Sequence, residues 1–139
     1  GDGAMYVRAH AGTIDVLLVD GFDHQGQSAS LCTQAFFDNC HRALAPGGVL
    51  VVNLHVDDFG HALCMQRIGD SFRGHAMQVL AREKSNCIVL AARGRPVTPE
   101  ALRSSGWAQA LGPQGQRQLR QDMAWIGWNA CALGGRLPA

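Results

Sequence analysis

Two aspartates stand where an apolar segment of the chain ends, and their spacing suits acid–base chemistry. Residues 14–19 are almost continuously aliphatic, and the segment Asp20-Gly21-Phe22-Asp23 follows them directly. Ligands of open α/β sheets bind at the carboxyl ends of parallel strands, so both carboxylates can face one cleft there. One carboxylate would accept a proton while the other binds a cationic group. The alternative is structural, because an aspartate after a strand commonly caps the next turn.

A second group of polar side chains follows the next apolar segment. It consists of Asn53, His55, Asp57, Asp58 and His61, and its histidines and carboxylates have the spacing of metal ligands. Polar residues are also common in any loop from a strand to a helix, and Asp57 or Asp58 could be the N-cap of that helix. We favour this second interpretation and predict no metal site.

Other catalytic chemistries lack support in the sequence. The five cysteines are odd in number, scattered and without a CxxC pair: Cys32, Cys40, Cys64, Cys87 and Cys131. We therefore expect reduced thiols in a cytoplasmic protein and no cysteine nucleophile. Neither GxGxxG nor GxxxxGK[ST] occurs, so the chain has no phosphate-binding loop of these types.

Composition limits the partners. A formal net charge of +1 over 139 residues gives no strong field toward nucleic acid or anionic lipid. No run approaches the roughly 18 apolar residues of a membrane span, and the first ten residues are too polar for a signal peptide. We expect neither a nucleic-acid nor a membrane partner.

The apolar pattern predicts a mixed α/β sheet. Residues 14–19 and 49–54 read as buried parallel strands. Between them we predict a helix that Ser28 or Ser30 caps and that ends at Pro46-Gly47-Gly48, completing a βαβ unit. A second helix is expected at residues 58–70. Strands at 76–80 and 87–92 must be antiparallel, because the short segment between them cannot form a parallel crossover. The tail over 115–133 should be helical.

Four segments together resemble a known family. The chain carries them in the family's order and at similar spacing: Gly1-Asp2-Gly3-Ala4, residues 14–23, residues 31–37, and residues 44–53 with Leu44-Ala45-Pro46-Gly47-Gly48. They resemble the spermidine synthases and their bacterial spermidine-synthase-like relatives. These are aminopropyltransferases on the Rossmann-like fold of the S-adenosylmethionine-dependent methyltransferases.

The resemblance implies roles for four residues. Asp2 and Gly3 match the turn that contacts the adenine of the donor, decarboxylated S-adenosylmethionine. Asp20 matches the base that deprotonates the attacking amine, and Asp23 matches a carboxylate that holds the cationic amine. A carboxylate beside an ammonium both attracts the cation and accepts its proton, so the chemistry requires no metal or other cofactor.

Two differences from the family leave the acceptor open. Where the family carries a Gln-x-Glu element after the second strand, this chain has Asn53-Leu54-His55 followed by Val56 and Asp57. The family's tyrosines that line the amine channel have no counterpart, since Tyr6 is the single tyrosine. An S-adenosylmethionine-dependent methyltransferase with an unknown acceptor is therefore an alternative.

The resemblance further implies that the chain starts within the fold, because the family's Gly-rich donor loop precedes the GDG turn. We expect residues 1–139 to form one partial domain that lacks the N-terminal strands. Residues 1–92 would be the C-terminal half of the methyltransferase fold, and 93–139 a helical tail. The isolated chain should bind the donor poorly. An exposed edge at strand 14–19 favours homo-oligomers, and a non-catalytic dimerisation module is a further alternative.

Overall fold

The computed structural model describes residues 2–23, 26–27, 29–82, 85–98, 100 and 111–132. Its helices are α1 (Gly3–Ala9), a 3-10 helix (Ala29–Cys32), α2 (Gln34–Ala43), α3 (His61–Ser71) and α4 (Pro113–Asn129). Its strands are β1 (Ile14–Val19), β2 (Phe22–Asp23), β3 (Gly26–Gln27), β4 (Leu44–His55), β5 (Ala76–Leu80), β6 (Asn86–Ala92) and β7 (Ala130–Ala132).

Five of the strands form one mixed sheet in the order β1-β4-β6-β5-β7. β1 and β4 are parallel, whereas β6 runs antiparallel to both β4 and β5. The predicted mixed sheet with an antiparallel hairpin is therefore confirmed. β2 and β3 form a separate two-stranded hairpin directly after β1.

The start of α2 differs from the prediction. Thr33, and neither Ser28 nor Ser30, is the N-cap, because its Oγ1 accepts a hydrogen bond of 3.1 Å from the backbone N–H of Phe36. The helix ends at Ala43, so Pro46-Gly47-Gly48 lies inside β4. A Cβ on Gly48 would approach the carbonyl oxygen of Ile14 to 2.8 Å, which explains why glycine is needed where β1 and β4 meet.

One hydrophobic core joins the helices α1 to α3 to one face of the sheet. Phe36, Phe37 and Cys40 of α2 are buried against alternate residues of β4 and β6, among them Leu50, Val52 and Val89. Burial raises the pKa of the Cys40 thiol to about 12. On the opposite face, Val16 and Leu18 of β1 are 60% and 72% exposed, so the prediction of a buried strand over residues 14–19 is wrong for that face, because no described element covers it.

The C-terminal segment packs at the far end of the sheet. Arg82 forms an ion pair of 2.9 Å with Asp122 of α4, and its guanidinium lies 5.5 Å from the centre of the Trp125 ring. The predicted helix over 115–133 is wrong at its end, because residues 130–132 leave the helix and pair with β5 as β7. No helix in the described ranges is long and apolar enough to cross a membrane.

The cysteine prediction is wrong for two residues. Cys32 of the 3-10 helix and Cys64 of α3 form a disulfide, with their Cα atoms 5.6 Å apart. The 3-10 helix packs directly against α3, and this tertiary contact brings together two cysteines that are 32 positions apart in the sequence. Cys40 and Cys87 are buried and lie outside this disulfide.

Candidate functional site

A cavity of about 730 Å³ opens at the carboxyl end of β1. Its walls come from α1, β1 and the 3-10 helix, and they include Asp2, Gly3, Tyr6, Asp20 and Leu31. Three of the four residues that the sequence singled out, Asp2, Gly3 and Asp20, therefore line one cavity.

Asp2 has a structural role as well as a place on the cavity. Its Oδ1 accepts a hydrogen bond of 2.8 Å from the backbone N–H of Ala4, so Asp2 is the N-cap of α1. Gly3 is the first residue of that helix. The predicted turn is thus the entry to a helix whose first residues face the cavity.

Asp20 is exposed at the end of β1 and is held by an amide from the neighbouring strand. The Nδ2 of Asn53 donates a hydrogen bond of 3.2 Å to Oδ1 of Asp20. The Nδ2 of Asn86 in turn donates a hydrogen bond of 3.1 Å to Oδ1 of Asn53. Three strand ends thereby form a short polar chain that fixes one oxygen of Asp20.

Asn53 is a functional candidate that the sequence assigned elsewhere. From the sequence, Asn53 groups with His55 and the following aspartates, and the group is interpreted as the ordinary polar residues of a loop between a strand and a helix. The available signal was its place near the carboxyl end of the strand next to β1, where side chains of both strands converge.

Asp23 lies in the small hairpin after β1. Its backbone pairs with Gly26 in the β2–β3 hairpin. Its side chain lies outside the described part of the structure, so its predicted contact with a cationic group stays a prediction.

Leu31 forms a wall of the cavity beside Gly21, the residue after Asp20. Its Cδ1 occupies the space that a Cβ on Gly21 would need, and its Cδ2 lies 3.8 Å from the corresponding position on Gly3. Because Gly21 and Gly3 have no side chains, the Leu31 side chain can pack against both and form part of the cavity wall.

The second polar group forms a turn. Oδ1 of Asp58 accepts a hydrogen bond of 2.7 Å from the N–H of Gly60, and Gly60 is the N-cap of α3, so neither Asp57 nor Asp58 holds that position. The Nε2 of His61 is buried, and the residues that the structure describes offer it no hydrogen-bond partner. Burial lowers the pKa of His61, and the charge of Asp58 opposes that shift. Among the side chains that the structure describes, no three metal-ligating groups converge.

The chain is similar to known proteins in sequence and in fold. The family model for the spermine/spermidine synthase domain matches residues 1–74, which is more than half of the chain. A polyamine aminopropyltransferase of Chromobacterium violaceum is 38% identical over 104 residues, covering 73% of this chain and 40% of the relative. One from Neisseria meningitidis serogroup A is 32% identical over 95 residues, covering 68% of this chain and 36% of the relative.

Solved structures share the fold. A probable spermidine synthase from Corynebacterium glutamicum superposes with a TM-score of 0.58 at 21% identity, covering 91% of this chain and 50% of that one. Spermidine synthase from Thermotoga maritima gives a TM-score of 0.56 at 21% identity, covering 87% of this chain and 48% of that one. The chain thus spans about two fifths of the curated relatives and about half of the solved structures that it matches.

Proposed function

Because the chain belongs to the spermine/spermidine synthase family, we propose that the gene product containing it transfers an aminopropyl group from decarboxylated S-adenosylmethionine to an amine. The observation that carries the proposal is the hydrogen bond from Asn53 to Asp20 on the cavity that Asp2 and Gly3 also line. A carboxylate with one oxygen held leaves the other oxygen for a substrate.

In the proposed reaction Asp20 is the general base. An ammonium substrate loses a proton to Asp20, and the freed nitrogen lone pair forms a bond to the aminopropyl carbon next to the donor's sulfonium sulfur. The carbon–sulfur bond breaks with its electrons going to sulfur, so the donor leaves as a neutral thioether. Asp20 then releases the proton to water, and a general base of this kind contributes about 100- to 10,000-fold in rate.

The other three predicted residues have binding roles in the proposal. Asp2 and Gly3 at the start of α1 contact the adenine of the donor, and Asp23 holds the second positive charge of a diamine. The reaction uses no metal, since proton acceptance by a carboxylate and a sulfonium leaving group supply the chemistry.

The test is a transfer assay on the full gene product. Putrescine with decarboxylated S-adenosylmethionine is compared with S-adenosylmethionine as donor, and Asp20→Asn is compared with Asp15→Asn, an exposed aspartate on the same strand. We expect product with the decarboxylated donor and loss of at least about 100-fold in Asp20→Asn only. Methyl transfer instead would establish the methyltransferase alternative, and full activity in Asp20→Asn would remove Asp20 from the base role.

Within this proposal, residues 1–92 are the C-terminal half of the catalytic domain and 93–139 its tail. We further propose that the 139 residues alone bind the donor poorly, because they correspond to two fifths of the relatives' length. Isothermal titration that gives micromolar affinity for either donor would refute this statement.

We also propose a cytoplasmic homo-oligomer that forms through β1. In the described part of the chain β1 pairs with β4 alone, and its exposed Val16 and Leu18 make an apolar patch beside the unpaired edge. Sedimentation equilibrium should show association that Val16→Lys with Leu18→Lys weakens. A monomer at all concentrations would contradict it, and association without any transfer activity would favour the dimerisation module.

A further inference from the structure

We propose that Cys32 and Cys64 are a reversible thiol–disulfide site that controls the leucine wall of the candidate cavity. Their Cα separation of 5.6 Å lies within the range that a disulfide spans without backbone movement. Cys32 is 9% exposed and Cys64 is fully buried, so exchange with a small thiol starts at the Cys32 sulfur. This thiol chemistry does not depend on the transfer reaction proposed above.

The Cys32–Cys64 disulfide is connected to the cavity through Leu31, the residue before Cys32. Cys32 ends the 3-10 helix directly after Leu31, and Leu31 closes the cavity against Gly21 and Gly3. Cys64 belongs to α3, whose inner side is part of the hydrophobic core. The disulfide therefore anchors the cavity wall to a helix that is itself fixed in the core.

The non-covalent contacts at the same place divide into two sets. The guanidinium of Arg67 in α3 donates a hydrogen bond to the carbonyl oxygen of Cys32. The Nε2 of Gln34 in α2 donates to the carbonyl oxygen of Arg67 at 3.2 Å and to Oγ of Ser71 at 2.7 Å. When the disulfide opens, Gln34 still joins α2 to α3, and the hydrogen bond from Arg67 still joins α3 to the end of the 3-10 helix. The expected reduced state is folded, with a freer Leu31.

Two other thiols are poor competitors for the same chemistry. Cys40 and Cys87 are fully buried, and burial raises the pKa of Cys40 to about 12, which keeps the nucleophilic thiolate scarce. The pair is therefore the site of exchange among the cysteine side chains that the structure describes.

The exchange balances without a cofactor. In oxidation the two protein thiols transfer two electrons and two protons to a small-molecule disulfide, which leaves as two thiols while the Cys32–Cys64 bond forms. A dithiol reverses the step and is itself oxidised to a disulfide. A reducing cytoplasm would hold the pair mainly as thiols, and an oxidising shift would close the bond.

The experiment uses the 139-residue chain, treated without denaturant with glutathione disulfide or with dithiothreitol. Trypsin should release peptide 9–42 linked to peptide 43–67 after oxidation, and reduction should separate them. Peptide 9–42 also contains Cys40, so Cys40→Ala is the matched control that keeps the link and Cys32→Ala is the variant that loses it. Absence of the linked peptide in the oxidised chain would overturn the proposal.

Amide hydrogen exchange tests the consequence for the cavity. Reduction should raise exchange at Gly21 and Leu31 by about tenfold or more and leave Val52 in the centre of β4 unchanged. If Gly21 and Leu31 each exchange at the same rate in the oxidised and the reduced chain, the disulfide does not control the position of Leu31, and the proposal is overturned. This comparison uses the wild-type chain in both states, so it stands even where a cysteine variant fails to fold.

Discussion

The amide of Asn53 donates a hydrogen bond of 3.2 Å to the carboxylate of Asp20 across the ends of two parallel strands. Asn86, on the antiparallel neighbour, holds Asn53 in turn at 3.1 Å. Since Asn53 has its oxygen occupied by Asn86, its Nδ2 points toward Asp20. The orientation of the candidate base is therefore set by two residues that carry no charge.

The first prediction concerns this pair of amides. Asn53→Ala in the full gene product should lower kcat for amine transfer by roughly tenfold, because a hydrogen bond to a charged group contributes about 1.5 kcal/mol or more. Asn86→Ala should have a smaller effect in the same direction. Steady-state kinetics provide the measurement, with Asn39→Ala on α2 as the control. An unchanged kcat in Asn53→Ala would show that the contact does not position Asp20.

The second prediction compares two glycines. Gly48→Ala should destabilise the chain by roughly 1–3 kcal/mol, because its Cβ would meet carbonyl oxygens of Ile14 and Ala45 at 2.8 and 2.9 Å. Gly69→Ala should stabilise it by roughly 0.5–1 kcal/mol, since no atom of the described ranges outside α3 lies within 4 Å of the added Cβ. Urea denaturation measures both. Equal effects of the two substitutions would contradict the close approach of β1 and β4.

The third prediction is the stability that the Cys32–Cys64 bond contributes. Closing a loop between residues 32 positions apart restricts the unfolded chain, which corresponds to about 3–4 kcal/mol. The melting temperature of the chain should fall by roughly 10 °C when dithiothreitol is added. The Cys32→Ala chain is the control and should melt at the same temperature with and without the reductant. A wild-type chain that is equally insensitive would disprove the contribution.

The fourth prediction is a loss of stability at mildly acidic pH. Burial, assisted by the charge of Arg93, lowers the pKa of His41 below 6.5, and burial lowers the pKa of His61 in the same way. Both histidines are neutral in the folded and the unfolded chain well above 6.5, so their contribution is complete there. As the pH falls below 6.5, the unfolded chain binds protons first and the free energy of unfolding decreases.

Urea titrations between about pH 7.5 and 5.5 would measure this slope. The double variant His41→Gln with His61→Gln should show a shallower slope than the wild type, because glutamine does not titrate. The same slope in both proteins would assign the acid sensitivity to other groups.

Local pattern predicted the sheet better than it predicted the site. The apolar runs indicated β1, the inner part of β4 and the β5–β6 hairpin. The runs in β4, β5 and β6 are largely buried in the observed sheet, whereas Val16 and Leu18 of β1 are exposed. The cap of α2 was wrong because Ser28, Ser30 and Thr33 are all good N-caps, and packing decides among them. β7 was missed because three residues carry too little periodicity, and long-range pairing with β5 alone defines it.

The contacts of the site depend on register, which residue types do not reveal. Asp20 and Asn53 meet because Val19 pairs with Val52, so the next residue of each strand lies at the same level. The Cys32–Cys64 bond likewise depends on a tertiary contact, the packing of the 3-10 helix against α3. Asp20 was a candidate from its place after an apolar segment and from the family resemblance, whereas its hydrogen bond with Asn53 depends on the pairing of β1 with β4.

The two borders of the five-stranded sheet are unequal in length. β1 presents six residues at one border, while β7 presents three at the other. In the homo-oligomer proposed above, strand addition by another copy would use the β1 border, where two identical edges can meet antiparallel about a two-fold axis. Such a contact uses both long borders at once. The sheet would then stop growing once two copies have joined through their β1 edges. A continuing fibre would need further copies to add at the short β7 border.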